Sequence, residues 1–553
     1  MGKYDSEILA YALRNAIEYG STEAANVLPK LFQHGLKKEE IKEVMPDIEK
    51  IVTKVNSMSL DERRKLYVDF SKLVKERVEK ERDLAELPDA GDKMVFRLAP
   101  FPSGALHIGN AKTYLLNALY AEKYKAKTIL VFDDTIGSEE KQPIKEAYNL
   151  IKEGFDWLDV KYDKKIIYKS DRLGTYYKYA EKLIDTGKAY VCHCSQEVLR
   201  KNRANGIECA CRQFPADIQM ARWKDMLTAN EGEAVLRIKT SMSDPNPAFR
   251  ERVLFRISER EHPRVGKQYR VWPTLEMTWA IDDHLLGITH IIRGNDLMIE
   301  TDMEKFIWDI FGWKHPVCIH TGLVRIEGLG AKISKSKAQQ EIKSGEFKGW
   351  DDPRAWTMQS LRRRGFYPDA IREFVKEIGL NKQDITIPIE ALYSINRKMV
   401  DFEANRYYFV ANPVKIKIEE KPKIEVVDIP LHPDKKELRH VKIGEIYVSG
   451  DDLGKFGGQE ARLLHLFNVK LGEDVTFTSL DNKEVPKIQW VSDYVPAKIL
   501  APDGSWIEGY AENAVKRLTK GDVLQFERFG FVRFDGMKKQ GNDEIYEFWF
   551  AHK

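Results

Sequence analysis

The run VFRLAPFPSGALHIGNAK, from Val95 to Lys112, restricts the fold more than any other part of the chain. An apolar stretch of strand character gives way to a Pro/Gly/Ser turn and then to helical spacing that continues to Tyr124. A second apolar stretch, TILVFDDT, follows and ends in two carboxylates. Strand, helix, strand in that order builds a parallel α/β unit, because parallel neighbours need a crossover and a helix supplies it while covering the sheet. Such sheets bind ligands at the carboxyl ends of their strands. In the turn at that end, Gly104 and Gly109 permit close approach to the backbone. The helix start near His107 offers unpaired N–H groups, and His107 and Asn110 add hydrogen-bond donors. Those features suit a polyphosphate, although the same turn alone serves equally well as a packing glycine and a helix cap.

The rest of the chain sorts by changes of periodicity. Residues 1–90 are Lys/Glu-rich with helical spacing and close on the breaker PDAGD, an all-helical appendage. Residues 91–170 form the first half of a Rossmann-type parallel-sheet core, and residues 274–345 its second half, resuming at TWAIDDHLLGITHIIRGND. Between them, residues 171–273 hold almost all the cysteines and read as an inserted domain. Residues 346–408 return to helical spacing, and residues 409–553 turn to short strands broken by Gly, Asp and Pro, the pattern of one or two β-barrels. The expected fold is therefore multidomain α/β.

Lys and Arg number 89 against 86 Asp and Glu, so a basic footprint for nucleic acid is local, not global. No apolar run approaches the roughly 20 residues that span a bilayer, and the N-terminus lacks the basic-then-apolar order of a signal peptide. The expectation is a cytoplasmic chain with no membrane partner.

A second motif decides the reading of the turn. GLGAKISKSK, Gly328 to Lys337, is a glycine-flanked loop in which lysines alternate with small hydroxyl residues. Paired with His107-Ile108-Gly109-Asn110 more than two hundred positions upstream, it resembles the second signature of the class I aminoacyl-tRNA synthetases. His-Ile-Gly-Asn matches "HIGH" with Asn last, and Lys332 to Ser336 match "KMSKS". The segments FRLAPFPSGALHIGNAK, VFDDT, VLRIKTSMSDPNPAFRERV, DDHLLGITHIIRGNDL and RRRGFYPDAIREFVKEIGL extend the likeness to the glutamyl/glutaminyl branch, from about residue 93 to the C-terminus.

The resemblance implies ATP-dependent, magnesium-assisted attachment of L-glutamate to tRNA through a glutamyl-adenylate. It implies catalytic roles for His107, Lys332 and Lys335, and ATP contacts from His107, Gly109, Asn110, Arg325, Lys332 and Lys335. Arg97 stands where the family contacts the amino acid's carboxylate, and Asp133 where it holds the ammonium group. Arg293 stands where glutamyl enzymes carry arginine and glutaminyl enzymes a small uncharged residue. Glutamate's second carboxylate calls for an additional cation, and a buried arginine left uncompensated with glutamine bound would discriminate between the two. Where the family commonly has a pocket tyrosine this chain has Leu275, so Tyr269 or Trp272 takes that place or the contact is absent.

Cys192, Cys194, Cys209 and Cys211 form two C-x-C pairs, a set suited to tetrahedral zinc in a structural role, with His193 as a spectator. In the family the insertion binds the acceptor end of tRNA, and the helical segment with LRRRG, Leu361 to Gly365, would set arginines against tRNA phosphates. The C-terminal strands resemble the two anticodon-binding barrels of the archaeal, eukaryotic and glutaminyl forms. By analogy the chain is a monomer. A glutaminyl enzyme is disfavoured by Arg293 and the cysteines, and a tRNA-binding paralogue without catalysis by the intact His107, Gly109, Lys332 and Lys335. Charging of glutamine tRNA in addition to glutamate tRNA stays open, as does the role of the N-terminal helices.

Overall fold

The computed structural model describes residues 2–75, 83–136, 142–328 and 335–553. The chain divides into two compact units, Met1–Arg82 and Asp83–Lys553. In the first, helices Asp5–Tyr19, Ala24–Leu31, Ile41–Asn56 and Leu60–Phe70 enclose a core that includes Ile8, Leu13, Val27, Ile48 and Val55. Ser59 and Glu62 close a capping box at the start of the last helix. Arg63 turns inward and donates to the carbonyls of Ala16, Gly20, Val55 and Asn56, which satisfies acceptors left over where two helices end.

The second unit is built on the parallel sheet. Val95–Leu98 pairs in parallel with Lys127–Phe132, which pairs in parallel with Ile167–Tyr168. His290–Gly294 pairs in parallel with Val317–Thr321. Thr289 joins the two sets: its N–H donates to the Val95 carbonyl at 3.0 Å, and its hydroxyl accepts from the Val95 N–H at 2.8 Å. The strand order therefore reverses between Val95–Leu98 and His290–Gly294, the switch point where open α/β sheets place ligands. Phe96, Leu98, Leu130 and Phe132 are fully buried, each worth roughly 1.5–3 kcal/mol of transfer free energy.

The insertion forms an antiparallel sheet of Ala189–Cys192, Val235–Ile238, Val253–Ile257 and Val271–Pro273. It shares one apolar cluster with the parallel sheet, in which Ile129 and Val131 join Trp223, Leu254, Trp272 and Met303. Downstream, helices Met358–Arg364, Pro368–Ile378 and Ile389–Val400 lead to the strands. The run 405–411 breaks at Tyr408 into Asn405–Tyr407 and Phe409–Ala411, which form the two ends of one seven-stranded sheet, so that sheet closes into a barrel. Residues 413–491 build a second β-rich body, with its own core around Val448, Leu463, Val469 and Trp490, before the chain returns to the first at Tyr494–Leu500.

One expectation fails here. The arginines of LRRRG do not all face solvent. Arg364 is fully buried and donates to the carbonyls of Phe550 and Ala551, while Arg363 pairs with Asp535 and Asp351 over the Trp549 ring. These two brace the last strand against the helix, because Arg364 lies three positions after Leu361 on the helix's inner face. Only Arg362 is exposed and free to meet phosphate. No helix among the described residues is long and apolar enough to cross a membrane.

Candidate active site

The turn after the first strand is held from two directions. His107 sits in extended geometry ahead of helix Ile108–Lys123, and its N–H donates to Asn110 Oδ1 at 3.1 Å. Asn110 thus secures the turn's own geometry. Residues 106–108 are zipped to residues 356–358: the Ile108 N–H donates to the Trp356 carbonyl at 3.1 Å, and the Met358 N–H to the Leu106 carbonyl at 2.8 Å. At Gly104 a Cβ would lie 2.3 Å from the Trp350 ring, so only glycine admits that indole. A Cβ at Gly109 would meet the His107 ring at 3.2 Å.

This packing extends to the helix that follows the lysine loop. Ala105 of the turn, Ala338 of helix Lys335–Lys343, Phe347, Trp350 and Ala355 share one small apolar cluster. The helix that follows the lysine loop is therefore seated on the histidine turn. Lys335 opens that helix, whereas Lys332 falls outside the described residues. Arg325 lies exposed on Val324–Glu327, the strand leading into the loop, opposite Thr386.

The expected amino-acid residues converge on a buried network at the switch point. Arg97 bonds both oxygens of Asp283, at 2.6 and 3.2 Å, with its guanidinium 3.6 Å from the centre of the Trp279 ring. Asp133 accepts from Lys169 at 2.7 Å, and Lys169 also donates to the Thr278 hydroxyl and lies 3.4 Å from the same indole. Burial pulls the Lys169 ammonium below its ordinary pKa, opposed by Asp133 and Asp282. Next in sequence, Asp134 faces the other way, accepting from the Ser170 N–H, the Ser170 hydroxyl and Tyr148. The buried His262 ring donates to the Asp134 carbonyl at 2.6 Å, and burial holds that imidazole below its usual range.

Arg293 corrects an expectation. It is not an uncompensated cation: Nη1 bonds Glu304 Oε1 at 3.0 Å and Nη2 bonds Oε2, with both side chains buried. Burial pushes the Glu304 carboxyl up and Arg293 pulls it back. Of the guanidinium nitrogens, the buried Nε alone finds no acceptor among the described residues. Arg293 is therefore not a bare buried charge, because Glu304 already holds its guanidinium fork.

Lys169, Trp279, Asp282, Asp283 and Glu304 escaped the sequence reading. The signal for two of them was present: Asp282 and Asp283 directly follow the apolar run Trp279–Ala280–Ile281 of helix Leu275–Leu285, and are fully buried. Asp282 accepts from Arg172 at 2.8 Å and Tyr176 at 2.6 Å. Leu275 only opens that helix and packs into the core, while Tyr269 stands edge-on to Trp272 and Tyr177. Tyr114, one helix face away, is the hydroxyl that feels both Asp133 and Arg97; burial and Asp133 raise its pKa.

The four cysteines meet at the end of strand Ala189–Cys192 and the short turn Ala210–Gln213. Their sulfurs all lie within 4.8 Å of one another, and Cys192 and Cys209 are 3.6 Å apart. Four thiolates about 2.3 Å from a tetrahedral zinc would be spaced by roughly 3.8 Å, so the set fits that ion. The fully buried Arg237 donates to Cys192 Sγ at 3.8 Å and pairs with Glu251, a cation placed beside the thiolates. His193 is directed to the Glu233 carbonyl, outside the set.

Residues 93–402 match the family described as tRNA synthetases class I (E and Q), catalytic domain, and residues 404–490 and 476–535 match two anti-codon binding domains of the same family. The chain is 40% identical to a glutamate–tRNA ligase of Methanocaldococcus jannaschii over 98% of both chains. It is 42% identical to that of Pyrococcus abyssi over 99% of both, and 39% identical to that of Archaeoglobus fulgidus over 96% of this chain and 98% of the other. With the helix after the lysine loop sharing a cluster with the histidine turn at the switch point of a parallel sheet, and with these matches over nearly the whole chain, the chain belongs to the class I tRNA synthetases of the E and Q family.

Proposed function

We propose that the protein is a glutamate–tRNA ligase. The glutamate α-carboxylate attacks the α-phosphorus of ATP, pyrophosphate leaves, and a ribose hydroxyl of the tRNA's terminal adenosine then takes the glutamyl group from the adenylate. The observation that carries this reading is the cluster of Ala105, Ala338 and Trp350, which sets the lysine-loop helix on the histidine turn. Neither step needs a covalent enzyme intermediate; both need alignment and neutralisation of phosphate charge.

In this reading the backbone around Gly104 and Gly109, with His107 and Asn110, seats the triphosphate, and Arg325, Lys332 and Lys335 approach it from the loop side. One lysine about 4 Å from a phosphate oxygen, at an effective dielectric near 20, is worth roughly 4 kcal/mol, close to a thousandfold in rate if felt only in the transition state. Magnesium accompanies ATP and spreads the same charge. Arg97, Asp133 and Arg293 hold glutamate, the side-chain carboxylate addressing Arg293. Cys192, Cys194, Cys209 and Cys211 hold a structural zinc with no open position for water. The C-terminal barrels bind the anticodon and the insertion the acceptor end.

Charging assays with purified glutamate and glutamine tRNAs, each offered both amino acids, test the assignment. Glutamate is the expected amino acid on glutamate tRNA. Preferential attachment of glutamine would overturn the proposal, and glutamate on glutamine tRNA would widen it to two tRNA substrates.

A further inference from the structure

We infer that Lys112 is a positioning residue for ATP, a buried strut that fixes the strand entering the lysine loop against the helix that begins at His107. Lys112 lies on helix Ile108–Lys123, 4% exposed. Its ammonium meets three neutral acceptors: the Thr321 hydroxyl at 2.8 Å, the Gly322 carbonyl at 2.9 Å and Asn381 Oδ1 at 2.5 Å. Three N–H donors with three acceptors saturate the group. No carboxylate among the described residues is bonded to it, so the arrangement there is not a buried salt bridge.

The acceptors belong to two segments that are otherwise far apart in sequence. Thr321 ends the strand Val317–Thr321, and Gly322 leads into Val324–Glu327, which runs to Gly328 at the head of the lysine signature. Asn381 precedes the strand Ile385–Pro388, the parallel partner of Val324–Glu327. The two segments also tie to each other: the Gly322 N–H donates to the Asn381 carbonyl at 2.6 Å, and the Leu323 N–H to Asp384 Oδ1 at 2.8 Å. A Cβ at Gly322 would lie 2.0 Å from the Gln383 carbonyl oxygen, so the approach requires glycine. Lys112 is the one side chain of the histidine-turn helix shown bonding both segments at this crossing.

A methionine of similar length would fill the space and support a core. It would take one donor each from Thr321, Gly322 and Asn381, leaving Asn381 Oδ1 only the Thr321 hydroxyl at 3.1 Å. Retaining a cation there is costly: burial lowers the Lys112 pKa to about 8, with Asp384 the charged neighbour acting in the opposite direction. Loss of one proton leaves two donors for three acceptors, and the strut loosens.

This inference rests on the reading of the lysine loop as part of the ATP site. The test is steady-state aminoacylation by the full chain with tRNA present, comparing wild type, Lys112→Met, Thr321→Val and Lys335→Ala. Lys112→Met is expected to raise the KM for ATP at least tenfold and leave the KM for glutamate within twofold. Thr321→Val, which keeps the shape but removes one acceptor of Lys112 and the hydroxyl's own bond to Asn381, should raise the KM for ATP about threefold. In wild type kcat/KM for ATP should fall above pH 8, and this limb should be missing in Lys112→Met. Should Lys112→Met not fold, the ATP dependence of Thr321→Val and the wild-type pH limb decide. An unchanged KM for ATP in a folded Lys112→Met, or equal losses for ATP and glutamate, overturns the strut. A Lys335→Ala variant as active as wild type would instead overturn the loop reading beneath it.

Discussion

Replacing Glu304 with glutamine separates the two tasks of the Arg293 pair. The Nη1–Oε1 distance is 3.0 Å, where the gross Coulomb attraction at an effective dielectric near 20 is roughly 5 kcal/mol. Removing one charge of a buried pair costs roughly 3–5 kcal/mol, because the other is left without compensation. Gln keeps the shape and one acceptor oxygen, so the loss for Glu304→Gln falls near the lower end, about 3 kcal/mol in the ligand-free enzyme. Glutamate brings its own carboxylate to Arg293 and recovers part of that loss, whereas glutamine recovers none. If half is recovered, glutamate binds the variant about tenfold more tightly than it binds wild type, since about 1.4 kcal/mol is tenfold in affinity. Denaturant unfolding of the free protein and calorimetric titration with each amino acid measure the two quantities. A folded variant that binds glutamate no better than wild type would refute the view that Glu304 competes with the substrate for this guanidinium.

Three further outcomes follow from named contacts. Lys335→Ala should cut adenylate formation by about a thousandfold while glutamate binding survives; pyrophosphate exchange with tRNA present reports it, and an unchanged rate contradicts the charge-neutralising role. Protein purified without chelator should carry one zinc per chain, lost in Cys209→Ser together with thermal stability; metal-free wild type of full stability would remove the zinc assignment. His552, buried against Tyr393 and hydrogen-bonded to Asn396 and the Lys553 carbonyl, has its pKa lowered by burial from 6.5 to about 4. Between those values the unfolded chain binds the extra proton, so stability rises with pH across the window and is lost as pH falls through it, by up to about 3 kcal/mol; denaturant unfolding at pH 4.5 and 7 should show a slope that His552→Gln flattens.

What the sequence makes legible, and what it hides, follows the range of each interaction. The histidine turn is readable because its cause is local: a strand, two glycines and a helix start lie within seventeen residues, and Asn110 closes the turn three positions after His107. Arg364 was readable too, since its spacing from Leu361 puts it on the inner face whatever its charge. Composition argued for a basic surface there, and periodicity was the better guide. The buried ion pairs of the proposed pocket are of another kind. Arg97 and Asp283 are 186 residues apart, Lys169 and Asp133 come from different strands' ends, and the partner of Arg293 sits on the following helix. A charge in an apolar run announces that a counter-charge exists, because an isolated buried ion is too costly to keep. It does not say where in the chain that partner lies. For the proposed pocket this bears on specificity: with Arg97, Lys169 and Arg293 each matched by a carboxylate, selection of glutamate through them would turn on the donors those carboxylates leave over, such as Arg293 Nε.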